Sequence, residues 1–449
     1  MTVDQSQVRT ALDLLGPGAR LDVSGERTGL LRYARSLITA QHGERRLRVR
    51  VRLERAGRVA LGTLETLDPV AIVALRSRLN DALATLPLGP PLDGAAGSGD
   101  AGAAHSVAAA DSAAPVAASA ATLGADAADR YRWFDVVRAG LGPGVRLGGS
   151  IRHEVVDRVV ADAGGLFRAE TLTKASLQAV ADTGDRSASV RLLHRDAGAI
   201  SVTGVADRLR ADLAPLPTRE AFRGPCRLLL RPQAVITLLA TYGYVTLGAA
   251  GYAEGRTAVA GRIGQPVTSE LLTLTDDGTD PAGLPSGFDP EGTLRRRTPL
   301  IDRGVLVGVV SDRARAAVTG GRSTGHAVPA GWRFGADPSP SHLLVAPGTA
   351  SEAEMLAACG PGLLVSRLDY LRVLHPKDTL VTGTTRDATY WVDSGRRIAW
   401  HPPVRLTFRM DEVLHAVLAV GRERERGEAV FMESVVAPAL LIDAGPVLL

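Results

Sequence analysis

The stretch from Pro91 to Arg130 constrains this chain more than any other, because it divides the sequence and has little to fold around. Of its 40 residues, 17 are alanine, Gly and Ser fill much of the rest, and no aromatic side chain occurs. Such a segment buries too little apolar surface to offset the entropy of ordering it. Gly94, Gly97, Gly99, Gly102 and Pro115 work against one long helix. The reading is a linker or long surface loop over residues 89–129. It leaves an N-terminal α/β part in two pieces, 1–88 and 130–220, and a C-terminal domain, 221–449.

The flanking segments have sharper signatures. Arg46-Leu-Arg-Val-Arg-Val-Arg-Leu53 alternates strictly, the period-2 pattern of a strand with one buried face. Its arginines are expected on a solvated face, since a nucleic-acid surface would interleave aromatic side chains. Ala56-Gly57 turns the chain into a second strand at 59–61. Asp68 is a helix N-cap before Pro69, and Ile72, Leu75, Leu79, Leu83 and Leu86 recur at helical spacing. After the linker, 130–141 reads as a helix, 145–159 and 187–193 as strands, the first interrupted at Gly148-Gly149, and 205–213 as a helix. From Pro225 onward, short apolar runs such as 227–230, 271–274, 305–310, 343–345, 363–365 and 405–408 lie between Gly and Pro, which indicates a β-rich domain. One helix is expected after Ser351, where Glu354 completes a capping box. A second is expected from Met410 to about Val420, with Arg422-Glu-Arg-Glu-Arg426 as its solvated end. The fold class is α+β, with antiparallel strands and helices in the N-terminal part and a β-rich C-terminal part.

Composition excludes several functions. With 52 Lys+Arg against 48 Asp+Glu the net charge is +4, too even to indicate a nucleic-acid partner. Two cysteines build neither a disulfide framework nor a four-thiolate zinc site. No apolar window reaches the roughly 18 residues a membrane span needs, and no leader pattern opens the chain, so a soluble cytoplasmic protein without a membrane partner is expected. None of the nine histidines lies within five residues of another. His153, Glu154 and Asp157 would share a helix face, but their segment reads as a strand, so no metal site is expected. Gly321-Arg-Ser-Thr-Gly325 matches the serine-hydrolase elbow, which requires a strand before it and a helix after it. Here 313–318 reads as helical and 327–340 as a loop, so the motif reads as a turn. Asp276-Asp277 reads as the turn at a strand's end. No phosphate loop or dinucleotide fingerprint occurs. The residues themselves show no catalytic centre.

Phe288-Asp-Pro-Glu-Gly292, Arg297-Thr-Pro-Leu-Ile-Asp-Arg-Gly-Val-Leu-Val-Gly308, Ser323-Thr-Gly-His326, Pro338-Ser-Pro-Ser341, Leu343-Leu-Val-Ala-Pro-Gly348 and Gly362-Leu-Leu-Val365 follow one another along the chain. Together, and in this order, they resemble the TldD/PmbA family. Upstream, Leu31-Arg-Tyr-Ala-Arg-Ser36 and Ala161-Asp-Ala-Gly-Gly-Leu-Phe167 are similar to family segments. The resemblance implies a pair of unlike subunits. TldD-like members carry H-E-x-x-x-H on a helix with a late cysteine and act as zinc peptidases, while PmbA-like (TldE) members lack those ligands. The corresponding helix here, near Gln233-Ala-Val-Ile-Thr-Leu-Leu-Ala-Thr-Tyr242, has neither His nor Glu. Cys359 precedes Gly362 and so misses the late-cysteine position, and Arg256-Thr-Ala-Val-Ala-Gly-Arg-Ile-Gly264 looks PmbA-like.

By resemblance, then, this chain is the non-zinc subunit of a heterodimeric TldD/TldE-type metallopeptidase acting on small unfolded or precursor peptides. It would hold no catalytic residue, metal or cofactor of its own, and zinc would sit in a TldD-like partner. Ser323, Thr324, Gly325 and His326, the last in place of the family's Asn, are candidates for lining the substrate channel. The alternative is a pair recruited to natural-product biosynthesis for chemistry other than plain cleavage. A third reading is a self-sufficient serine hydrolase using Ser323.

Overall fold

The computed structural model describes residues 2–88, 117–222, 224–316, 321–329, 337–429 and 432–443, with the backbone of a short strand at 447–448. Its N-terminal half is one six-stranded antiparallel sheet in the order β3-β2-β1-β4-β5-β6. The strands are β1 (Ala19–Ala34), β2 (Leu37–Arg55), β3 (Arg58–Leu64), β4 (Arg146–Asp162), β5 (Phe167–Asp182) and β6 (Ser187–His194). The alternation in β2 is realised as expected. Val49, Val51 and Leu53 are buried beneath helices α1 (Gln5–Leu15) and α2 (Pro69–Thr85). The Asp68 carboxylate accepts from the Ala71 N–H at 3.0 Å and caps α2. β4 runs straight through Gly148-Gly149. There the expected interruption is instead a close approach, because a Cβ on Gly149 would strike the Gln178 carbonyl of β5.

The two pieces of the N-terminal part meet in this sheet through β1 and β4, which pair from Arg20↔Asp162 to Tyr33↔Gly149. Residues 89–116 of the expected linker lie outside the described residues. Its last part is folded. Ser119 caps α3 (Ala120–Gly124), and Asp126 and Asp129 form a reciprocal capping box at the start of α4 (Ala127–Leu141). Thr122 is sealed from solvent, its hydroxyl donating to the Arg195 carbonyl at 2.8 Å. Side-chain caps and that buried hydroxyl supply the order that an Ala-rich composition does not advertise.

The C-terminal half is a twelve-stranded mixed sheet. It comprises β7 (Arg227–Leu230), β8 (Leu274–Asp276), β9 (Thr298–Asp302), β10 (Val305–Leu306), β11 (His342–Val345), β12 (Gly362–His375), β13 (Leu380–Asp393), β14 (Arg396–Trp400), β15 (Arg405–Arg409), β16 (Val417–Ala429), β17 (Met432–Ile442) and β18 (Val447–Leu448). The pairs β7/β12 and β11/β17 are parallel. The other helices are α5 (Val205–Asp212), α6 (Pro232–Thr246), α7 (Ala249–Ala253), α8 (Glu352–Cys359) and α9 (Met410–His415).

One expected element is wrong. The helix from Met410 stops at His415, and Val417 opens β16, which pairs with β17. The apolar run Val417-Leu-Ala-Val420 fits a buried strand as well as a helix, and tertiary pairing decides. Arg422 to Arg426 is therefore a stretch of strand, not a helix end.

The central strands β7, β12 and β17 are buried on both faces. Leu228, Leu230, Leu363, Val365 and Leu440 pack with α6, whose Val235, Leu238, Leu239 and Tyr242 are sealed. Leu229, Leu364 and Leu441 face the other way. They join Phe134 and Val137 of α4 and Leu177 of β5 in a second core, so the two halves share an interior.

Candidate functional site

A cleft of about 810 Å³ opens between the N-terminal sheet and the loops of the C-terminal half. Its floor is the face of β1, β2, β4 and β5 turned away from α1 and α2. Arg48 and Arg50 of β2 line it, and for Arg50 the expectation of a solvated face does not hold. Arg50 Nη1 lies 3.0 Å from Asp22 Oδ2, and Arg158 Nε reaches Asp22 Oδ1 at 3.5 Å. Arg158 Nη1 also donates to the Phe288 carbonyl at 2.9 Å, crossing from one half to the other. Arg48 is more open than Arg50, its guanidinium 3.6 Å from Glu26. Deeper in, Lys174 meets Glu154 and Glu428, each at 3.3 Å. Burial would pull its ammonium down, but these carboxylates more than offset that and hold its pKa above the usual lysine range.

The turn at Phe288 owes its shape to Asp289. Its Oδ1 accepts from the N–H groups of Glu291 and Thr293, both at 2.9 Å, and its Oδ2 accepts from Ala327 N–H at 2.9 Å. Gly292 follows at φ +76°, and a Cβ there would overlap Leu166. The quoted Asp-Pro-Glu-Gly motif is thus the piece that seats the C-terminal loops on the N-terminal sheet.

The far wall contains a sealed polar cluster drawn from four distant segments. Asp276, at the end of β8, is wholly buried. Its Oδ1 meets His326 Nε2 at 2.8 Å, and its Oδ2 accepts from Ser341 N–H at 2.6 Å and His342 N–H at 2.8 Å. Arg295 donates to Ser341 Oγ at 2.5 Å and to the Gly325 carbonyl at 3.1 Å. Burial alone would raise the Asp276 carboxyl, yet His326 first, and then His342 and Arg295, hold it below the usual carboxylate range. The His342 imidazole is pushed down to about 3 by burial and by the charge of Arg295. The pair Asp276-Asp277, expected as a plain turn, supplies the hub of this cluster.

The four channel candidates divide. His326 and its neighbours Ala327 and Val328 border the cleft, whereas Ser323, Thr324 and Gly325 are not among its lining residues. Ser323 Oγ donates to the Ser311 carbonyl at 3.3 Å. Thr324 Oγ1 accepts from Ser311 N–H at 2.7 Å and lies 2.9 Å from His326 Nδ1. Hydroxyl, imidazole and carboxylate therefore stand in the order of a hydrolytic triad. The hydroxyl is already engaged by Ser311, however, and belongs to Thr324 outside the cleft, so the arrangement is a bonded support for the loop.

Among the described residues no three His, Cys, Asp or Glu side chains gather as a ligand set. The helix singled out for a zinc motif is α6. Its Val235, Leu238, Leu239 and Tyr242 are core side chains, and Gln233 donates to Glu425 at 3.1 Å. Those residues do not fit a zinc ion. Sequence reasoning missed Arg295, His342, Arg158 and Lys174, whose roles depend on partners far away in the chain.

Residues 223–447 match the family model described as the PmbA/TldA metallopeptidase C-terminal domain. Over 101 residues the chain is 36% identical to an uncharacterized protein of Methanocaldococcus jannaschii, a match covering 22% of this chain and 24% of that protein. The fold is similar to that of TldE from Thermococcus kodakarensis, with a TM-score of 0.82, 17% identity and 99% of each chain covered. It is also similar to a Thermotoga maritima protein described as a candidate modulator of a DNA gyrase, with a TM-score of 0.81, 15% identity and 99% of each chain covered.

Proposed function

This chain belongs to the PmbA/TldD metallopeptidase family, and from that premise we propose that it is the zinc-free member of a two-chain peptidase. It receives an extended peptide in its cleft, and a different, TldD-like chain carries the zinc ion and the cleavage chemistry. One observation carries this reading. The cleft has charged groups of both signs along its walls, but Asp22 pairs with Arg50 and Arg158, Glu154 with Lys174, and Glu26 with Arg48. Such a surface suits an uncharged, hydrogen-bonding peptide backbone of varied sequence better than a substrate with one fixed charge. The hydroxyl–imidazole pair in its wall, Ser341 Oγ at 2.9 Å from His342 Nδ1, makes a poor nucleophile and base, because Arg295 holds the hydroxyl at 2.5 Å and the imidazole is pushed down to about 3.

Zinc, when bound by the partner, supplies an activated water. This chain's share is binding, orientation and exclusion of bulk water. The substrates are small unfolded peptides or precursor peptides, and precursors of ribosomally made natural products fall within that chemistry. The test is reconstitution with a TldD-like chain encoded beside this one. Unfolded peptides are expected to survive incubation with this chain alone, to be cleaved by the mixture, and to survive again when the partner's H-E-x-x-x-H glutamate is replaced. Metal-independent turnover by this chain alone would sink the reading. A product of the mixture whose mass shows modification without chain cleavage would move it to biosynthetic chemistry.

A further inference from the structure

On the sheet face opposite the cleft, the row Gly43–Gly29–His153 crosses the paired strands β2, β1 and β4. Two neighbouring glycines leave a hollow there of about 490 Å³. Arg130, from the first turn of α4, lies over one side of it. A Cβ on Gly29 would come 2.6 Å from Arg130 Cζ, whereas one on Gly43 would meet nothing within 4 Å. Arg130 and His153 are 5% and 3% exposed. Among the described residues no carboxylate forms an ion pair with Arg130, and its Nε has no partner. Its Nη2 has one neutral acceptor, the Gln41 amide oxygen at 3.3 Å, when that amide is turned so that its nitrogen donates to Leu30. Both ring nitrogens of His153 lack partners, and Trp133 closes one side edge-on with ring centroids 5.0 Å apart.

One row along, Arg27 and Arg45 stand directly opposite each other in register. Like charges so placed repel. Glu44, a carboxylate that lines the hollow, is already engaged by Arg46 at 2.6 Å. Asp126 and Asp129 act on Arg130 only through space, and a buried guanidinium with no carboxylate bonded to it and a buried imidazole with an idle N–H both cost stability unless an oxygen-rich anion completes them. We propose that this hollow is a binding site for a small doubly charged oxyanion, a phosphate or a dicarboxylate, held by Arg130 and His153 from within and by Arg27 and Arg45 at the rim. The planar guanidinium fork suits either, since both offer paired oxygens. The hollow lies on the other side of the sheet from the cleft.

The test is isothermal titration calorimetry of the full chain at constant ionic strength, with inorganic phosphate in one arm and succinate in the other. One saturating site is expected, with Kd about 1 mM or tighter for at least one anion, and the stronger arm identifies the source. Gly43→Val fills the open space, and Arg45→Ser removes an exposed rim charge. Each is expected to weaken binding about tenfold or more while the unfolding midpoint holds. Heats that fail to saturate with both anions would overturn the proposal. So would saturation that Gly43→Val and Arg45→Ser leave unchanged.

Discussion

The two sheets of this molecule are held by opposite strategies. In the N-terminal sheet, β1, β2, β4 and β5 are 16 to 19 residues long and pair in nearly unbroken antiparallel register. One face is covered by helices and apolar apart from the hollow at Arg27, Arg45 and His153, while the other carries charge and faces the cleft. In the C-terminal sheet several strands have five residues or fewer, register shifts recur between β12 and β13, and the central strands are buried on both faces. The first sheet is stabilised by repetition and the second by irreplaceable contacts. A polar group in the first can borrow water from the cleft, whereas one in the second depends on protein partners for every hydrogen bond.

The sharpest way to break that comparison is to replace the same residue type in both. Asp276→Ala strands His326 and two backbone N–H groups in a sealed site, and is expected to cost about 3–5 kcal/mol in urea unfolding. Asp22→Ala leaves Arg50 and Arg158 beside the cleft, where water can reach them, and is expected to cost roughly 1–2 kcal/mol. Equal losses would mean that the two environments do not differ.

Acid offers a second probe, because each sheet holds a histidine with a depressed pKa. Burial, and then Arg130, brings His153 of β4 to about 4, and His342 of β11 stands at about 3. The unfolded chain takes up these protons near pH 6.5. Their contribution is therefore complete above that pH and lost as pH falls from 6.5 through the folded values, by at most about 1.4 kcal/mol per pH unit for each histidine. Unfolding midpoints between pH 7 and pH 5 should decline, and His153→Leu and His342→Leu should each flatten the decline. A slope that neither variant changes would place the proton uptake elsewhere.

Turn glycines sharpen the comparison on a smaller scale. Gly304 joins β9 to β10 at φ +81°, and a Cβ there would press on the Thr268 carbonyl at 2.7 Å. Gly57 joins β2 to β3 at φ +73°, with only Leu88 Cδ2 nearby at 3.5 Å. Gly57→Ala should cost about 1 kcal/mol for its left-handed backbone, and Gly304→Ala about 2 kcal/mol or more because a carbonyl must also move. The smallest effect belongs to Arg48→Ala. Its pair with Glu26 is open to solvent, so the unfolding free energy should change by less than about 1 kcal/mol.

The same contrast governs what could be read from the amino acids. The β2 alternation, the Asp68 cap and the Ser351–Glu354 box were legible because each is decided within a few residues. The stop after His415 was not, because β16 exists only by pairing with β17. Of the candidate site, the Phe288 to Gly292 motif was found through its resemblance to the family, and its turn is largely local, Asp289 accepting from Glu291 and Thr293. The Asp276 cluster could not, since its members come from residues 276, 295, 326 and 341–342 and nothing in their spacing announces that they meet. The arginine stripe was seen, but its destination was not, because a strand pattern says which residues share a face and not what stands across from it.

The interior shared by the two halves has a mechanical consequence. Leu229, Leu364 and Tyr390 from one half interlock with Phe134, Leu177 and Leu209 from the other, and the Ser187 hydroxyl is bonded to Asp387 across the same seam at 3.0 Å. Jaws fused along such a seam cannot swing apart without tearing the core. The opening above Asp22 and Arg158 therefore works as a gauge set to one width.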